Sequence, residues 1–153
     1  MKDTILIVHV LFAVFAMFSA IWLFVEVLNA SESNRRRMRW AAALVAVFMV
    51  ITWIASGYGY VLYYAADKAI ILAGPWAWAH TIIMETKEHV FFMTLVLSLL
   101  LPIVVFMQDL VANRAARRLT LWILALIVLS ALALEGAGSI IALAVKLGLM
   151  QTI

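Results

Sequence analysis

The stretch Val90-Phe91-Phe92-Met93-Thr94-Leu95-Val96-Leu97-Ser98-Leu99-Leu100-Leu101-Pro102-Ile103-Val104-Val105-Phe106-Met107 runs for 18 residues without a charge. Coiled as a helix at about 1.5 Å per residue, it covers about 27 Å, close to the roughly 30 Å hydrocarbon core of a bilayer. It lacks the strict apolar/polar alternation of a barrel strand, so it reads as a membrane-spanning helix. Working outward, three further apolar runs appear, giving spans of about 4–28, 40–64, 78–107 and 119–149 within one transmembrane domain over 1–153. The first is too long for a signal-peptide core and reads as a retained span.

Composition agrees. Hydrophobic residues make up 68% of the chain and charged ones 12%, against roughly half and a quarter in a soluble domain. Hydrocarbon tolerates such a surface but requires every backbone polar group to be satisfied internally, which leaves helices or a closed barrel. The expected fold is an all-α integral membrane protein, an up-down bundle of four transmembrane helices.

Of eleven Lys and Arg residues, seven (Arg35, Arg36, Arg37, Arg39, Arg114, Arg117 and Arg118) fall in the connections after spans one and three. Basic loops stay on the cytoplasmic side, so both termini and the Asp67 to His89 connection are expected outside, in a cytoplasmic (inner) membrane. Trp40 and Trp122 would anchor the inner interface. Tyr58, Tyr60, Tyr63, Tyr64, Trp76 and Trp78 would form an outer aromatic belt. The net charge of +3 belongs to this topology and not to nucleic-acid binding. Glu26 is expected to pair with the loop arginines. Ser56, Gly57, Gly59, Gly136 and Gly138 would let helices approach closely, and Pro102 would kink span three.

The chemistry-bearing residues gather near the outer end. Pro75 suits a helix start, and on a helix from there Glu85, Glu88 and His89 share one face while Lys87 points away. His9, at matching depth in span one, could meet His80 or His89, with Ala13, Ala16 and Ala20 making room beside it. Glu135 is the deepest charge and needs neutralisation or a partner: His89, Tyr58 or a bound cation.

Three functions fit this pattern. In the first, haem b is held by two of His9, His80 and His89, with Met84 or Met93 able to replace one, and the outer aromatics pack on the porphyrin or a quinone. The four-span plan resembles, in architecture alone, the small membrane cytochrome b subunits, which implies an electron-transfer protein or a membrane anchor subunit. In the second, His9, Glu85, Glu88, His89 and Glu135 bind or transport a transition metal such as iron, copper, zinc or manganese through nitrogen and oxygen. In the third, the chain is a cofactor-free structural subunit of a larger membrane complex. Expected partners are the lipid bilayer, other membrane subunits, an extracellular or periplasmic redox protein, and quinone. With no cysteine, no serine-centred motif and no phosphate loop, a stand-alone catalyst is disfavoured.

Overall fold

The computed structural model describes residues 1–151. These are almost entirely helical: α1 (Lys2–Leu28), α2 (Arg35–Gly59), α3 (Ala65–Ala73), α4 (Glu85–Met107) and α5 (Arg114–Met150). Two wider π-helical turns complete them. Tyr60–Tyr64 joins α2 to α3 without a break, and Ala79–Met84 leads into α4. Four continuous helical stretches, of 27, 42, 29 and 37 residues, are long and apolar enough to cross a membrane.

The second stretch extends beyond the expected end near Tyr64, so Asp67 lies in helix and not in a connection. Ala73 is its last helical residue, and the chain then reverses through Gly74 to Trp78. The third stretch accordingly starts at Ala79 and not at Pro75. Helix runs unbroken through Pro102, whose fixed ring only frees a carbonyl one turn back.

Consecutive helices are neighbours. α1 packs along α2, α2 on α4, α4 on α5, and α5 closes the ring on α1. Short connections between adjacent helices make each pair antiparallel, so the up-down bundle is present. At about 1.5 Å per residue the second stretch is about 63 Å long. Its excess length, α3, leans onto α5.

Core packing differs between the two ends. Toward the arginine-rich end all four long helices contribute to one cluster, with Ala20, Leu23, Ala41, Val45, Leu101 and Leu124 at its centre. Alanines at these contacts let the backbones come close, the usual way helices associate in lipid. Toward the aromatic end the buried cluster is Tyr64, Ile71, Ala79 and Ala144. No residue of α1 belongs to it. The bundle is therefore tight at one end and parted at the other.

Buried hydroxyls along the core are satisfied locally. Ser19, Thr52, Thr94, Ser98 and Thr120 each donate to the carbonyl four residues back, a bond that spares them a partner across the bundle. Two of the expected glycines make close approaches: a Cβ on Gly138 would lie 3.2 Å from Lys87 Nζ and one on Gly59 3.4 Å from Ile5 Cγ2. A Cβ on Gly57 or Gly136 would meet nothing within 4 Å, whereas one on Gly148 would lie 2.8 Å from the Ile70 carbonyl oxygen and one on Gly74 would lie 3.0 Å from the Gly148 Cα. The docking of α3 on α5 depends on this bare backbone contact.

At the arginine-rich end, Glu26 accepts from Arg37 Nε at 2.8 Å, Asn34 Nδ2 at 2.8 Å and Trp22 Nε1 at 3.1 Å, the expected pairing. Arg35 bridges Glu32 and Asp109, the latter at 3.1 Å, and so ties the two basic connections together.

Candidate functional site

At the aromatic end, where α1 takes no part in the buried cluster, a cavity of about 760 Å³ opens, lined by residues of all four long helical stretches. This is within the range of pockets that hold a drug-sized molecule. His9, Lys87 and Glu135 form its floor and also line a small void of about 40 Å³ beneath it, beside Thr52, Met49 and Phe91.

The floor follows from helix periodicity. Thr94 and Ser98 of α4 are buried, and stepping back from them by three and four residues reaches Phe91, then Lys87 and Glu88, then Met84. All four line the cavity. Lys87 thus faces inward, opposite to the expectation, and its Nζ lies 3.2 Å from the position a Cβ on Gly138 would take. Glu135 sits one turn before Gly138 on the same helix. Lys87 is accordingly the cation opposite Glu135, where the sequence suggested His89, Tyr58 or a bound ion.

The three histidines separate. His9 Nδ1 lies 3.3 Å from the Thr52 carbonyl, and since a carbonyl only accepts, Nδ1 carries the proton and Nε2 keeps its lone pair. His80 is 4% exposed; its Nδ1 is 3.0 Å from the Tyr64 hydroxyl and its Nε2 3.8 Å from Glu85 Oε1. Both ring nitrogens therefore face protein groups. His89 is exposed and donates Nδ1–H to the carbonyl of Glu85 at 2.7 Å. Only His9 of the three lines the cavity.

Of the acidic residues, Asp67, Glu88 and Glu135 line the cavity and Glu85 is exposed outside it. Glu88 Oε1 is buried without a hydrogen-bond partner, and Tyr60 is its neighbour. Among the described residues no three histidine or acidic side chains converge as a metal ion would need. The set His9, Glu85, Glu88, His89 and Glu135 is divided between the cavity and the surface.

The walls are aromatic. Tyr60, Tyr63, Tyr64, Trp53, Phe91 and Phe92 all line the cavity. Tyr60 and Tyr64 stack at 5.0 Å, a pairing made inside the π-helical turn. Such turns insert a residue and re-aim the side chains that follow, and they recur at functional sites. The facing π-helical turn holds His80 and presents Met84 to the cavity. Across the rim, Lys2 Nζ meets both carboxylate oxygens of Asp67, at 2.7 and 2.8 Å.

Periodicity from Ser98 and Thr94 was the signal that could have placed Lys87 inward. No residue pattern announces the two π-helical turns or the Lys2–Asp67 pair. No known protein family, curated protein or solved structure matches this chain.

Proposed function

We propose that this chain is a multi-pass membrane protein, with both termini outside, that holds a planar redox-active ring of the quinone class in the cavity at its aromatic end, as an electron-transfer or anchor subunit. The orientation rests on the seven arginines of the connections after spans one and three. The observation that carries the functional reading is the cavity itself: about 760 Å³, walled by tyrosine, tryptophan and phenylalanine, with His9, Lys87, Glu88 and Glu135 at or near its floor. Aromatic walls suit the faces of a ring. Lys87 donates to a ring carbonyl, and the carboxylates take or give the protons that a quinone exchanges on reduction. Ionisable groups at such depth mark ligand or proton pathways more often than packing. Exposed lining residues such as Leu6, Val10 and Phe92 leave the opening apolar, as the tail of a lipid-borne quinone requires.

Titrating the purified protein with decylubiquinone tests this. Trp53 lines the cavity, so binding quenches its emission, and Trp53→Phe removes most of that quenching. Lys87→Met weakens binding by about tenfold, or about 1.4 kcal/mol. Absence of saturable quenching would reject the reading.

A second reading, haem b, is favoured by one observation: His9 and Met84 are a histidine and a methionine that both line the cavity, and such a pair can serve as axial ligands. A Soret band in freshly prepared, haem-replete protein, lost in both His9→Ala and Met84→Ala, would replace quinone by haem.

A further inference from the structure

We propose that Tyr64, His80 and Glu85 form a proton relay joining the cavity to bulk water at the aromatic end of the bundle. The three residues run in sequence from the cavity to the surface. Tyr64 lines the cavity, His80 is 4% exposed behind it, and the Glu85 side chain is 51% exposed. The Tyr64 hydroxyl and His80 Nδ1 are 3.0 Å apart, a hydrogen bond in the interior. His80 Nε2 and Glu85 Oε1 are 3.8 Å apart, a gap that a rotamer change of a half-exposed side chain closes on the picosecond to nanosecond scale.

The tautomer follows from the neighbours. A carboxylate only accepts, so the nitrogen facing Glu85 carries the proton, and Nδ1 is left to accept from the Tyr64 hydroxyl. For outward transfer, the Tyr64 O–H bond breaks as His80 Nδ1–H forms, and His80 Nε2–H breaks as a Glu85 carboxyl O–H forms. Tyr64 regains a proton from a donor in the cavity, and Glu85 releases one to water. One proton has moved and no electron has changed hands; a half-turn of the imidazole about its Cβ–Cγ bond then carries the protonated nitrogen round to face Glu85 and the bare one to face Tyr64 before the next passage. Run backward, the same steps deliver a proton inward.

Both ends of the relay are charged or polar on more than one side. Tyr60 stacks on Tyr64, and Asp67, Glu85 and Glu88 are the carboxylates within electrostatic reach of it. Glu88 lines the cavity with an unpartnered oxygen; once that oxygen has taken a proton from the cavity, Glu88 serves as the entry donor. The two π-helical turns explain the meeting: Tyr64 ends one and His80 lies in the other.

The inference does not depend on what fills the cavity, and the test reads the cavity directly. The chain has no cysteine, so Ala142→Cys, a lining position, accepts a single maleimide derivative of a pH-sensitive fluorescein. The full chain in nanodiscs is then subjected to a stopped-flow pH jump. In the otherwise wild-type protein the dye follows the jump rapidly, and more slowly in D2O. Tyr64→Phe, which loses one hydroxyl, and Glu85→Gln, at an exposed position that folding does not need, each slow the response by about tenfold or more. Circular dichroism and melting checked on both variants exclude misfolding as the cause. If both variants follow the jump at the unmodified rate, or if His80→Ala quickens it by admitting water, the relay is overturned.

Discussion

Glu135 and Lys87 come from different helices and lie within electrostatic reach of each other, without a direct ion pair, in a cavity of apolar and aromatic wall, so neither substitution is expected to be neutral. Lys87→Met or Glu135→Gln alone should destabilise by roughly 1–3 kcal/mol, because the remaining polar group loses its compensation. The double variant should cost less than the sum by about 0.5 kcal/mol or more, which denaturant unfolding in detergent measures as a coupling energy. A different carboxylate responds to pH. Asp109 lies between α4 and α5, where the backbone N–H of Ala112, with the Arg35 guanidinium and the Val111 N–H, holds its carboxyl below the usual carboxylate range. Its folded value is the lower one, so its stabilisation is complete above the unfolded pKa of about 3.9 and is lost as pH falls from there through the folded value. Melting temperature should therefore drop on acidification below about pH 4 in the wild type, and Asp109→Asn should lose stability at neutral pH and show less of that acid-side drop.

Among the elements, α3 on α5 is the contact least tolerant of bulk. Gly148→Leu would drive a side chain into the Ile70 backbone, 2.8 Å from where its Cβ would sit, and backbone cannot yield as a flexible side chain does. The expected cost is about 1–3 kcal/mol, seen as a lowered melting temperature and faster proteolytic nicking between Ala73 and Ala79. Gly136→Ala, with nothing near its Cβ, should instead gain about 0.5–1 kcal/mol from helix propensity. The sequence spoke clearly about elements where composition controls them: four apolar runs became four long helices, and Glu26 found its arginine. It was silent where geometry depends on the path of the chain. The π-helical turn at Tyr60–Tyr64 carries neither proline nor a distinctive pattern, yet it carries helix through Asp67 and turns Tyr64 toward His80. Lys87 was legible in principle, through the stripe of Thr94 and Ser98, but three acidic and imidazole groups on the neighbouring face drew the reading outward. The hydrogen bonds of His80 to a tyrosine and of His89 to a helix carbonyl were not legible, since each depends on the path of the chain.

On the scale of the molecule, the proposed sidedness makes its own forecast. Single cysteines at Ser33 and Ala77, in the otherwise cysteine-free chain, should divide under a membrane-impermeant maleimide on intact cells: Ala77→Cys labels at once and Ser33→Cys only after permeabilisation. The reverse pattern would invert the protein in the membrane and with it the side on which the cavity opens. The Lys2–Asp67 pair has a consequence of its own for such a cavity. It clasps α1 to α3 across the rim, while Leu6, Val10, Trp53, Val61 and Phe92 give the exposed lining a largely apolar face beside Tyr60 and Ser139. On the proposed membrane placement, entry would be sideways, out of the lipid, and an occupant's effective dose would be its mole fraction in the bilayer. Two molecules of equal intrinsic fit would be ranked by how strongly each partitions from water into membrane, and dilution with extra lipid would empty the cavity without any change in the protein.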